Sequence, residues 1–219
     1  MVSVVGARAS DLADPEQQPA AVWEATVDWW GERLPVFSHL YNMTWLNERG
    51  AELAIVESWR DPAVPAYRVL EVGNVCNHYE ALRHHGYVVD LYEQAPGVDN
   101  SDVLDITVAD PESAPLEIIS ISTMEHVWWD DEPVIGQSLA AIRHLHSLLA
   151  PGGRMLVTVP TGHNPPLDEA LVAGETGATR ACTLVRDMES WRRTETIEAR
   201  PYGRTQPWAE ALWVGEFYT

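Results

Sequence analysis

The 219-residue chain predicts an α/β fold with a mostly parallel sheet and helices on both faces, and three observations carry that expectation. Short apolar runs recur at 69–72, 87–90, 116–121 and 154–159. The stretches between them carry helical spacing or turn residues, so strand and helix alternate as parallel crossovers require. The first run also breaks at Gly73 into a polar turn, the pattern of a buried strand reaching the sheet edge where ligands bind in such folds.

Residues 1–19 are small, acidic and contain Pro and Gln, and read as a loose lead-in. From 20 to 59 the spacing is helical, with Trp23, Val27, Trp30 and Leu34 on one face, a break at Pro35, then Phe37, Leu40, Tyr41 and Trp45. This predicts an N-terminal helical cap or lid over 1–60 and an α/β domain over 61–219. The tryptophans of the cap serve either as filler against the sheet or as an aromatic lid over an acceptor pocket.

After the first strand, 79–85 reads as a short helix ended by Gly86. A second strand closes on Asp90, and 98–104 is a weaker third with Asp102 and Asp105 near its end. The fourth run leads into 122–127. A helix from about Pro133 carries the stripe Ile135, Leu139, Ile142, Leu145 and Leu149, and stops at Pro151-Gly152-Gly153 before the fifth strand. Beyond Pro166 come a helix from about Leu167, apolar segments at 182–185 and 209–217, and Trp191-Arg192-Arg193 between them. Without a good intervening helix, the late strands read as a hairpin closing one sheet edge.

Composition narrows the function classes. Net charge is −19, and all 14 Lys+Arg residues are arginine. Such a surface repels phosphate backbones and anionic lipid, so neither nucleic acid nor membrane is expected as a partner. No apolar run approaches the ~20 residues that span a bilayer, and the N-terminus lacks the order of a secretory signal. Cys76 and Cys182 are far apart and in no metal spacing, which predicts free thiols in a cytoplasmic protein. No carboxylate or thiol joins His84-His85 or His144 and His146 at ligand spacing, so no metal site is expected. Ten tryptophans leave enough apolar surface to admit a homodimer.

The order of motifs, with EVGNV at 71–75, VVDLYE at 88–93, ISISTMEHV at 119–127 and HLHSLLAPGGRMLVTVP at 144–160, resembles the class I S-adenosylmethionine-dependent methyltransferases. The EVGNV-type first motif is similar to a bacterial branch found among glycan and natural-product enzymes. The resemblance covers roughly 67–160 and extends through the late hairpin. It implies a Rossmann-like methyltransferase fold with a seven-stranded, mostly parallel sheet and a C-terminal antiparallel hairpin. It further implies S-adenosyl-L-methionine as cofactor and methyl transfer to an oxygen or nitrogen of a small molecule, such as a sugar or a secondary-metabolite intermediate.

Carried over residue by residue, the resemblance implies these roles. Glu71 binds the cofactor's amino group or orders the loop, and Gly73, with Asn74 beside it, lets backbone approach the methionine part. Asp90 takes the ribose hydroxyls, with Glu93 in its place if the strand ends later. Asp102 and Val103 sit at the adenine, with Asp105 a second candidate, and Ser122, near Ser120, lies beneath the sulfonium. His126 and His163, after the fourth and fifth strands, are candidate general bases beside the acceptor, because imidazole titrates near neutrality. Glu125 is placed to orient His126, and Asn164 and Asp168 either bond the acceptor or cap the next helix.

One departure matters. The family's turn reads acid-x-Gly-x-Gly-x-Gly, whereas only Gly73 is kept and Val75 stands at the second glycine. Either the loop follows another path, or the chain is an auxiliary or cyclase-like protein that holds a ligand without transferring methyl. A nicotinamide-dependent oxidoreductase fits less well, because the glycine pattern is too poor and the Pro-Gly-Gly turn too good.

Overall fold

A computed structural model describes residues 24–130, 132–203 and 208–219, so the lead-in and Trp23 lie outside the described residues. The strands are β1 (Thr26–Trp29), β2 (Glu32–Pro35), β3 (Val69–Val72), β4 (Tyr87–Val89), β5 (Val98–Asp99), β6 (Glu117–Ile121), β7 (Arg154–Pro160), β8 (Arg180–Asp187), β9 (Ser190–Arg193) and β10 (Ala211–Tyr218). They form one sheet in the order β2-β1-β9-β8-β10-β7-β6-β3-β4-β5. From β5 through β7 every pairing is parallel, and β10 then enters antiparallel between β7 and β8. These seven strands have the arrangement the resemblance implies, and β9, β1 and β2 raise the described total to ten. The late hairpin therefore does not close the sheet edge; β9 and the N-terminal hairpin continue it.

Helices cover both faces. Helix α1 (Arg49–Trp59) packs on one face, in a core of Leu53, Ile55, Val69, Ile119, Ile121, Leu156, Leu184 and Val214. On the other, α2 (Gln137–Ser147) supplies Ile142 and Leu145, and α3 (Pro165–Val172) supplies Leu167 and Leu171, against Leu70, Val72, Ile118, Val157, Trp213 and Phe217. Alternation along each strand splits the side chains between the two cores.

Where a helix was expected, the described residues 26–35 form a β-hairpin. Val27 and Trp29 point into the core, and the two-residue turn Trp30-Gly31 takes φ of 42° and 95°, the positive values that tight hairpins need. Trp30 is held by a hydrogen bond from Nε1 to Glu216 Oε1 and by the Arg180 and Arg193 guanidinium groups, 4.5 and 5.0 Å from its ring centroid. The segment 26–59 thus belongs to the same sheet and core as the rest, with no separate helical cap. Of its tryptophans, Trp29 and Trp59 are core filler.

Three more elements are shorter than expected. In place of a helix at 79–85 there are short 3₁₀ turns at Cys76–His78 and Glu80–Leu82, split by an extended Tyr79. The third strand stops at Asp99, because its carboxylate takes the Ser101 amide and hydroxyl and turns the chain. Helix α2 starts at Gln137, and Ile135 is exposed rather than part of its stripe. No helix among the described residues is long and apolar enough to cross a membrane.

Candidate functional site

The strand order reverses between β3 and β6, and the crevice at their carboxyl ends opens a cavity of about 700 Å³. Asp90 enters from the end of β4, and Asp102 and Val103 from the turn after β5. Ser122 and Thr123 lie at the end of β6, followed by His126, Trp128, Trp129 and Asp130. Asp90, Glu93, Asp102, Asp130 and Glu132 all line this space, and no arginine does among the described residues.

The sequence-derived residues divide into three groups. Asp90, Asp102, Val103, Ser122 and His126 line the cavity. Gly73, Asn74, Asp105, Ser120 and His163 do not; Ser120 is buried within β6 and Asp105 faces solvent. Glu71 also turns away. Its Oε1 accepts from the Val75 and Cys76 amides at 2.8 and 2.6 Å, and Oε2 lies 2.7 Å from His84 Nε2. A side chain at that strand position points to the α1 face, so Glu71 orders the loop and does not reach a ligand in the crevice. The Gly86 amide donates to His84 Nδ1, which leaves Nε2 to donate to Glu71.

That network also explains the loop's path. With Val75 and Cys76 drawn inward by Glu71, the valine packs against the apolar cluster under α1. Gly73 keeps φ of +86°, and a Cβ there would lie 2.0 Å from Thr123 Oγ1. Asn74 joins the loop to the acids: its amide donates to Asp90 Oδ2 at 3.2 Å and its side chain to Glu93 Oε1 at 2.8 Å. Asp90 Oδ1 takes the Tyr92 and Glu93 amides as well, which fixes the carboxylate at the cavity wall. Asp102 caps the turn at 103–105 through the Leu104 amide.

Beneath Ser122 lies a polar layer that sequence reading missed. Glu52 of α1, fully buried, accepts from Ser122 Oγ at 2.6 Å and Thr158 Oγ1 at 2.7 Å and pairs with Arg49 at 3.1 Å. Ser122 has φ of 44°, a strained value for a non-glycine residue, held by these bonds. Burial pushes the neighbouring Glu125 carboxyl well above the usual range; Glu52 and Glu48 add to the rise and Arg49 opposes it. The Glu125 Oε2 atom has no hydrogen-bond partner.

His163, from the loop after β7, meets His126 at the cavity wall, with ring centroids 4.6 Å apart. Asp130 joins them, with Oδ2 2.7 Å from His126 Nδ1 and Oδ1 2.8 Å from His163 Nε2. Burial would raise the Asp130 carboxyl, but the bonds and charges of His163 and His126 outweigh it and hold it below its ordinary value. Asp130 is four residues beyond His126, and that spacing was the one signal in the sequence. Asn164 caps α3 through the Leu167 amide, and Asp168 accepts the Gly162 amide at 2.8 Å, so both shape the loop carrying His163.

Neither a family model nor a curated protein sequence matches the chain. Among solved structures, the N-methyltransferase NodS from Bradyrhizobium japonicum, in complex with S-adenosyl-L-homocysteine, is 18% identical, with 78% of this chain and 86% of that one covered at a TM-score of 0.46. A methyltransferase from Thermotoga maritima, described as a possible histamine N-methyltransferase, is 14% identical over 84% of this chain and 90% of its own, also at 0.46. Magnesium protoporphyrin IX methyltransferase from Synechocystis, with bound SAM, is 14% identical over 76% and 81%, at 0.39. The strand order itself, five parallel strands and then an antiparallel β10 inserted before β8, decides the architecture. It is the strand order that the resemblance to class I methyltransferases implies. A fold of this kind hosts more than one activity, so function is argued from the crevice.

Proposed function

We propose that the chain is an S-adenosylmethionine-dependent methyltransferase acting on an oxygen or nitrogen of a small molecule. The observation that carries this reading is the charge of the crevice: five carboxylates and no arginine line it among the described residues. A dinucleotide brings a pyrophosphate, which such a wall repels; S-adenosylmethionine brings a sulfonium cation, an ammonium group, ribose hydroxyls and an adenine amine, all matched by acceptors. In this reading Asp90 holds the ribose and Asp102 and Val103 the adenine. Gly73 and Asn74 flank the methionine part, and Ser122 lies under the sulfonium. His126 and His163 act as a pair at the acceptor end. When bound, S-adenosylmethionine would supply an activated methyl group, and His126 or His163 would take the proton that the acceptor loses. Much of the acceleration comes from holding the reacting atoms in line. The acidic crevice, and the two buried free thiols Cys76 and Cys182, support a small-molecule acceptor and a cytoplasmic enzyme.

A second reading has one observation in its favour: the loop amides of Val75 and Cys76 are taken by Glu71 and so do not face the crevice. In that reading the protein holds a ligand without transferring methyl. Calorimetric titration of ligand-stripped protein with S-adenosylmethionine and S-adenosylhomocysteine tests the first reading. Binding in the micromolar range, on the order of 8 kcal/mol, and its loss in Asp102→Ala, is the expected result. Binding without any acceptor gaining the mass of one CH₂ would favour the second reading, and no binding by folded protein would remove the first.

A further inference from the structure

The paired imidazoles do more than flank an acceptor: we propose that His126, Asp130 and His163 form a binding site for a divalent transition-metal ion at the acceptor end of the crevice. Each residue offers one donor atom, and the three donors lie within 4.8 Å of one another. Two imidazole nitrogens and one carboxylate oxygen are a donor set that suits Zn²⁺ and its first-row neighbours. Three protein ligands also leave a coordination position open for water or substrate.

The geometry needs little adjustment. Asp130 already bridges the two rings at 2.7 and 2.8 Å. A metal at about 2.0–2.2 Å from each donor spreads such contacts by a fraction of an ångström and takes the place of the shared protons. His126 meets Asp130 through Nδ1, and its other nitrogen, Nε2, lies 3.6 Å from Glu125 Oε1. Glu125 is 2% exposed, and its second oxygen has no partner. The loops after β6 and β7 that carry the ligands are tied together: Trp129 Nε1 donates to the His163 carbonyl at 3.0 Å and Asn164 Nδ2 to the Glu125 carbonyl at 3.1 Å.

His126 and Asp130 line the crevice, so the open position faces it and would take an oxygen or nitrogen of the acceptor, lowering its pKa. That role rests on the methyltransferase reading, whereas the site itself does not.

Chelator-stripped full chain titrated with Zn²⁺ by calorimetry, without S-adenosylmethionine, reads the site alone. One Zn²⁺ per chain is expected, with Asp130→Asn and His163→Gln each weakening uptake at least tenfold and His146→Gln, on α2 away from the crevice, leaving it unchanged. Co²⁺ in place of Zn²⁺ should give visible absorption bands that are lost in the same two variants. All three ligands are partly exposed, and equal melting temperatures would establish that the variants fold. No uptake by the unmodified chain, or uptake unchanged in both site variants, overturns the proposal. Cofactor titration is separate, so loss of S-adenosylmethionine binding with Zn²⁺ uptake intact would overturn the methyltransferase reading and not the metal site.

Discussion

Gly73 and Thr123 lock the loop after β3 against the loop after β6: a Cβ on residue 73 would lie 2.0 Å from the Thr123 hydroxyl, and φ of +86° excludes it a second time. The glycine is therefore required by packing, whatever binds beside it. Gly73→Ala should cost about 2–4 kcal/mol in urea denaturation, in the range of overpacking combined with backbone strain. Thr123→Ala in the same chain should recover part of it in a double-mutant cycle. Recovery of nothing would assign the whole cost to backbone conformation.

Asp90 and Asp102 should separate when tested. Asp90 accepts three backbone amides, from Asn74, Tyr92 and Glu93, so Asp90→Ala loosens two loops as well as the crevice. Asp102 accepts one amide, that of Leu104. Asp102→Asn should lower S-adenosylmethionine affinity about tenfold with stability changed by less than about 1 kcal/mol, since a neutral cap is retained. Asp90→Ala should lose both affinity and stability, as read by calorimetry and melting.

His84 and Glu71 form a buried pair at 2.7 Å. His84→Ala leaves the buried Glu71 carboxylate without the imidazole's hydrogen bond, which should cost about 1.5–3 kcal/mol. Urea midpoints measure it. A loss below about 1 kcal/mol would mean that water enters and replaces the imidazole.

Asp168 predicts a pH dependence. Burial raises its carboxyl to about 6, against the opposing Gly162 amide and His163. Its folded pKa lies above the unfolded value near 3.9, so between those values the folded state holds more protons and stability falls as pH rises. Asp168→Asn should flatten that slope between roughly pH 4 and 6, removing on the order of 1–2 kcal/mol once solvent screening is allowed for. Chemical denaturation at several pH values checks it, and a slope unchanged in the variant would assign the dependence elsewhere.

Trp30 anchors the N-terminal hairpin through Glu216, Arg180 and Arg193. Trp30→Leu should cost about 2 kcal/mol, as expected for a lost hydrogen bond and two cation–π contacts. Amide exchange in β1 and β9 should speed up ahead of that in β3 and β6.

The parallel strands were legible because burial on both faces leaves nearly continuous apolar runs, broken only by Glu71 at 69–72 and by Ser120 at 118–121. Asp90 could be placed at the crevice because it follows directly on β4, whereas Asp102 reaches it from the turn after β5. The hairpin at 26–35 was not: strands of four residues give only two inward positions each, and Trp30 and Leu34 happen to continue a helical spacing from Val27. Its Trp-Gly turn also lacks the Asn-Gly signature of such hairpins. Glu52 was hidden among the apolar residues of α1, and Asp130 became visible as a partner only once two loops from different strands met in space.

The hairpin's place in the sheet has a consequence for how the chain is made. Thr26 donates to Ser190 Oγ, 164 residues later, and Val27 pairs with Trp191. At roughly 5–20 residues per second, synthesis separates those partners by on the order of 10 s. Through that interval the hairpin has no β9 to dock on, and the edge that Val27 presents to Trp191 stays open. Assembly of that side of the sheet thus waits for a strand made long after the hairpin it joins.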